Sequence, residues 1–297
     1  MIFSKQIQGH LIALITVAIW ATTFVSTKLL LADFKPIEIL FYRFVLGYLT
    51  LWLLLPRPFA WQGIKQELTF IGAGFCGITC YFLCENTALT YTTASNVGVI
   101  VSLCPVLTAV LAIYFLKVEK PALRFYIGCL CAIVGVTIIS FNGKFVLSLN
   151  PLGDMLAVGA CLFWAGYSIL TKISSNHGYH TILLTRRFFF YGLILMIPAL
   201  FLFDFDWDLS RFSKPANSLN MLFLGVGASA ICFVSWNYAL KLLGAVKISI
   251  YIYFVPILTI VAAVLILKEP FTWIAAIGTL LTLSGVLLSE GKIKLKK

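Results

Sequence analysis

Apolar residues run through this chain in long blocks, parted by short clusters of proline and charge. About 20 consecutive apolar residues cross a bilayer as a helix. By that measure ten blocks stand out, at 11–31, 37–55, 68–89, 95–116, 122–141, 152–173, 181–203, 219–242, 246–267 and 271–289. Pro36, Pro56 with Pro58, Pro121, Asn150 with Pro151, the segment 204–217 and Pro270 separate them. The first block is too long for the core of a cleaved leader and reads as a retained span. The pattern predicts an all-α membrane protein with ten transmembrane helices.

The blocks form two matching sets. A shift of 144 residues lays Trp20 on Trp164, Thr27-Lys28 on Thr171-Lys172, and Arg43-Phe44 on Arg187-Phe188. A shift of 151 lays Ala88-Leu89 on Ala239-Leu240, and Pro105 with Thr108 on Pro256 with Thr259. The chain therefore divides into 1–145, holding helices one to five, and 146–297, holding helices six to ten. Five is odd, so the second copy enters the membrane from the opposite face. Two inverted five-helix repeats can open one midplane site to either side in turn.

Composition agrees. The chain is 61% apolar and 11% charged, with a mean hydropathy of +1.01, whereas soluble proteins carry about 25% charged residues. No hydrophilic block is long enough for a separate soluble domain. The 22 Lys and Arg outnumber the 11 Asp and Glu, but their placement is a topology signal. With the N-terminus inside, Lys5, Arg57, Lys65, Lys117, Lys120, Arg124, Lys172, Lys241, Lys247 and the four C-terminal lysines gather on the inner side. Only Lys28, Lys35, Lys144, Arg211, Lys214 and Lys268 fall outside. The positive-inside rule then places both termini in the cytoplasm of a multi-pass cytoplasmic-membrane protein, with no need for nucleic acid. The eight cysteines all lie in apolar blocks without a C-x-x-C pair, and read as packing residues. No metal and no cofactor is expected. Gly72, Gly74 and Gly77 match a dinucleotide pattern but sit inside a span, where helix packing is the better reading.

The run Ile19-Trp20-Ala21-Thr22-Thr23-Phe24 through Lys28, followed by Arg43-Phe44, resembles the opening of an EamA-like domain of the drug/metabolite transporter superfamily. So does Gly153-Asp154 with Phe163-Trp164-Ala165-Gly166-Tyr167 through Lys172, and Leu243-Gly244-Ala245-Val246-Lys247 with Pro256 resembles its closing half. The glycine that often precedes the family's final Glu is replaced here by Lys117-Val118-Glu119 and Lys268-Glu269. The resemblance covers nearly the whole chain, twice. It implies a ten-helix carrier of small metabolites such as amino acids, mostly an exporter, with a central cavity lined by helices one, three, four, six, eight and nine.

Glu85 is an acidic residue well inside a span, where a charge costs roughly 2.5–3.5 kcal/mol unless protein or water receives it. It is a candidate proton carrier or contact for a substrate amine. Arg43 lies at a similar depth, so a static ion pair is an equal reading, and Arg187 is its repeat-mate. Arg186 is expected to snorkel to the interface. Lys28 and Lys172 sit at helix ends, as interfacial anchors or as guards of the cavity mouths. Trp20, Thr23, Phe24, Trp164, Tyr167, Trp236, Tyr251 and Tyr253, with Asn86, Asn96, Ser102 and Asn237, are the candidate cavity residues. Pro105 and Pro256, mid-span in helices four and nine, should bend them as hinges or fixed kinks.

These features point to a secondary transporter that moves a small metabolite outward by alternating access, its partners being the substrate, the bilayer and a proton as candidate coupling ion. No obligate protein partner is evident. An anion exchanger of the nucleotide-sugar or phosphate-ester kind is the nearest alternative, motivated by Arg43, Arg187, Lys172 and Lys247. A membrane-embedded enzyme lacks a paired acid and base or an activated nucleophile in the spans. A non-transporting scaffold would bind no ligand.

Overall fold

The computed structural model describes residues 5–91, 97, 100–141, 150–255, 257–258 and 273–289, excepting the side chains of Phe24, Val25, Lys28, Ile139, Ser140, Phe141 and Ala275. The described chain is helical nearly throughout. Helix α1 is Lys5–Leu30, α2 Pro36–Leu54 and α3 Ile64–Tyr91; α4 is Cys104–Phe115 and α5 Leu123–Phe141. The second half holds α6 Pro151–Ser175, α7 Thr181–Leu202, α8 Pro215–Leu243, the short α9 Ala245–Ser249 and α10 Trp273–Ser289.

Six stretches among the described residues are long and apolar enough to cross a membrane: most of α1, and α2, α3, α6, α7 and α8. Helices α4, α5 and α10 are apolar but shorter as described. Pro256 and residues 259–267 of the predicted ninth span lie outside the described residues. Apolar side chains point outward as well as inward, with Leu53 84%, Phe201 82% and Trp273 86% exposed. That arrangement suits lipid and not water.

Pairing of elements follows the internal repeat. Helix α3 packs on α6 and α7 as α8 packs on α1 and α2, and α5 packs on α10. Both α3 and α8 widen into π turns, at Phe75–Cys80 and Phe223–Ile231, where glycines let neighbouring helices press close. Lipid supplies no hydrophobic drive between helices, so close backbone contact must. The α5–α10 seam shows it: a Cβ on Gly128 would lie 2.5 Å from the Gly285 carbonyl oxygen, and one on Gly285 2.5 Å from the Ala132 nitrogen.

A strap follows α7 and ties the ends of α1, α2 and α8. Glu38, fully buried on α2, accepts from Arg211 Nη1 at 2.8 Å, from the Asp206 backbone N–H at 2.9 Å and from the Lys35 N–H at 2.8 Å. Asp33 accepts from Lys214 Nζ at 2.7 Å and from Asn217 at 2.9 Å. These two bonds hold the Asp33 carboxyl below the usual carboxylate range.

Candidate functional site

A cavity with about 570 Å³ of atom-free space, its mouth included, lies between the two halves of the chain. Trp20 and Thr23 of α1, Arg43 of α2, and Tyr81, Phe82 and Glu85 of α3 wall it on one side. Val101 and Cys104, Trp164 of α6, and Ile252 and Val255 close the other. Among the described residues the wall is mostly apolar, and Arg43 and Glu85 supply its formal charge.

The two charges share the wall without touching. Glu85 accepts a 2.7 Å hydrogen bond from Tyr81 Oη, one helical turn earlier. Arg43 donates from Nε to Ser229 Oγ at 3.0 Å, and its guanidinium carbon stands 4.4 Å from the Phe82 ring centre. Among the described residues no Arg43–Glu85 ion pair forms within 4.0 Å. The static pair that equal depth allowed is therefore replaced by two separately held groups facing one space.

Aromatic rings build the rest. Trp20 meets Trp164 edge-on at 5.6 Å and Trp236 at 5.0 Å, while Tyr81 stands 5.0 Å from Trp164. Such contacts are worth about 0.5–1.5 kcal/mol each beyond area and hold the rings in fixed orientations. Trp20 spends its N–H on the Ala228 carbonyl at 3.0 Å. Trp164 Nε1 is buried without a hydrogen-bond partner among the described residues.

Of the sequence candidates, Trp20, Thr23, Arg43, Glu85 and Trp164 come together here. Several others do not. Tyr167 and Asn237 are buried in a network of their own, Tyr167 Oη donating to Asn237 Oδ1 at 2.7 Å and Asn237 Nδ2 to Thr185 Oγ1 at 2.9 Å. They lock α6, α8 and α7 together, and α2 takes the place on the wall expected for α8. Trp236 and Tyr253 are fully buried, Asn86 reaches the Pro36 carbonyl at 3.4 Å, and Ser102 is buried in a turn off the wall. Tyr251 bonds His10 of α1.

Pro105 is not mid-helix: the chain turns at Ser102 and Leu103, and α4 restarts with the proline in its first turn. A missing N–H is harmless there. Lys172 donates to the Lys241 carbonyl at 3.2 Å. Asn96 and Pro256 fall outside the described residues, as do the side chains of Phe24 and Lys28.

Arg187 occupies a separate cleft between α2 and α7. There it bonds the Phe59 carbonyl and stands 3.8 Å from the buried Glu67. Arg186 does not snorkel; it is buried and donates to the Leu55 and Arg57 carbonyls past the end of α2. Sequence reading passed over Tyr81, although its place four residues before Glu85 puts both on one helix face. It also passed over His10, Glu67 and the apolar wall residues, which carry no sequence signal separating wall from core.

The profile of the EamA-like transporter family matches residues 7–141 and, a second time, 151–290. An uncharacterized transporter of Archaeoglobus fulgidus is 28% identical over 288 residues, covering 95% of this chain and 97% of its own. An uncharacterized transporter of Bacillus subtilis, YyaM, is 25% identical over 293 residues, with 93% and 91% covered. One solved crystal structure superimposes with a TM-score of 0.76 at 19% identity, over 95% of this chain and 96% of that one, a likeness of fold.

Proposed function

This chain belongs to the EamA-like transporter family, and on that premise we propose that it exports an amino acid or related small amphiphile by alternating access through the cavity between its halves. In this reading ten helices form two inverted repeats in the cytoplasmic membrane, with both termini in the cytoplasm. The transport class separates the protein from membrane enzymes, in keeping with its transporter relatives.

The observation that carries the substrate class is the charge pattern of the wall. Arg43 and Glu85 face one space without neutralising each other. A zwitterion can offer a carboxylate to the guanidinium and an ammonium to the carboxylate, with its side chain against Trp20 and Trp164. An anion exchanger would gain from a surplus of cations. Here Arg187 stands in another cleft and Lys172 is bonded to a backbone carbonyl, so the charges on the described wall balance.

Glu85 also suits proton coupling, because an acid that exchanges partners as the cavity opens can load on one side and discharge on the other. Two experiments test the reading. Purified protein screened by thermal shift should be stabilised by amino acids over phosphate esters and nucleosides; the reverse order favours anion exchange, and no response to any ligand removes the carrier reading. In proteoliposomes Glu85→Gln should flatten the pH dependence of transport, and an unchanged dependence ends the proton hypothesis.

A further inference from the structure

The cleft that holds Arg187 is a second site of distinct chemistry, independent of the carrier reading. Tyr48 and Trp52 of α2, Pro58 and Phe59 of the following segment, and Leu183, Arg186, Arg187 and Phe190 of α7 enclose about 460 Å³ of atom-free space, mouth included. Both arginines line this space. Arg187 stands 3.8 Å from Glu67, whose oxygens also receive Tyr191 Oη at 2.6 Å and the Gln62 N–H at 3.1 Å. Arg186 has no carboxylate within 4.0 Å among the described residues. Two carbonyl oxygens and the face of Trp52, 3.8 Å from its guanidinium carbon, are its partners.

Among the described residues the balance is thus two cations against one anion. Two of the five N–H groups of Arg186 are spent, so donors remain for an oxyanion, and guanidinium matches phosphate in shape. The rim is apolar: Phe190 is 39% exposed, and neighbouring positions on the same helices, Leu49, Leu53 and Ile194, are 52%, 84% and 44% exposed. An occupant with a charged head and an apolar tail meets both features at once, and basic clefts between membrane helices are suited to acidic headgroups.

We propose that this cleft binds a phosphoester anion, supplied as the headgroup of an acidic phospholipid in the adjacent leaflet. The site would fasten the end of α2 to α7 through the lipid. The test uses delipidated full-length protein in neutral detergent, its unfolding midpoint titrated with phosphatidylglycerol, phosphatidylcholine and inorganic phosphate. Phosphatidylglycerol alone should raise the midpoint, with about fivefold weaker apparent affinity in Arg186→Gln, the loss expected for one basic contact. Leu183→Trp, which fills the cleft and leaves both arginines bonded, should abolish the response. Equal stabilisation by inorganic phosphate, lost in the same variants, keeps the anion site and assigns it a soluble occupant. Indistinguishable responses to the two lipids, or an undiminished phosphatidylglycerol response in Leu183→Trp, overturn the proposal. Should a variant fail to fold, native mass spectrometry of the unaltered protein decides: equal retention of the two lipids at equal supply overturns it, and preferential retention of phosphatidylglycerol upholds it.

Discussion

Arg211→Ala isolates the strap. Glu38 is 0% exposed, and Arg211 Nη1 lies 2.8 Å from its Oε2. Removing one partner of a buried ion pair costs about 3–5 kcal/mol, because the remaining charge stays desolvated. Two backbone donors, from Lys35 and Asp206, still reach the carboxylate, so the lower end applies: a loss of about 3 kcal/mol. Arg211 also donates to the Asp33 and Asp206 carbonyls, at 3.0 and 2.9 Å. Those acceptors can turn to water and add little. Adding Glu38→Gln to Arg211→Ala removes the stranded charge and should recover about 1 kcal/mol, an interaction that breaks additivity. Denaturant unfolding in mild detergent of the wild type, both single variants and the double variant gives all four corners. A loss below about 0.5 kcal/mol for Arg211→Ala, or strict additivity in the cycle, would show that the strap does not bear on the fold.

Asn237→Leu strands the buried Tyr167 hydroxyl and should cost about 1 kcal/mol in the same assay, with partial rescue by Tyr167→Phe; a neutral result would mean water takes the amide's place. Gly285→Leu drives a side chain into the α5 backbone and should destabilise by about 1–3 kcal/mol or more, read as loss of monodisperse protein on size exclusion; wild-type behaviour would deny the close seam. Asp33 has a depressed pKa, so its bonds to Lys214 and Asn217 stabilise fully above the ordinary carboxylate range and fade as pH falls through the depressed value. The midpoint difference between wild type and Asp33→Asn should accordingly stay constant from about pH 7 to pH 5, and a collapse over that interval would contradict the assignment.

The long helices were legible because an apolar block in lipid can satisfy its backbone only as a helix. Predicted blocks 37–55 and 152–173 reappear as Pro36–Leu54 and Pro151–Ser175. Arg43 and Glu85, expected at similar depth, do line one cavity. Helix rotation was not legible. Asn237 and Glu85 are both polar groups within spans, yet Asn237 turns to Tyr167 and Thr185 while Glu85 turns to open space. Packing against neighbours decides that choice, and hydropathy is blind to it. Arg186 was misplaced for a related reason: the Leu55 and Arg57 carbonyls lie past the last turn of α2, and a buried guanidinium donates to them.

The proposed function makes the hollow bounded by Trp20, Glu85 and Trp164 a route across the membrane. Thr23→Cys, in a protein otherwise free of cysteine and held in sealed proteoliposomes of known orientation, reports on it directly. An impermeant thiol reagent should label this position from either face, and a ligand found by the thermal screen should slow both reactions. Labelling from one face only, or reaction rates indifferent to ligand, would contradict it.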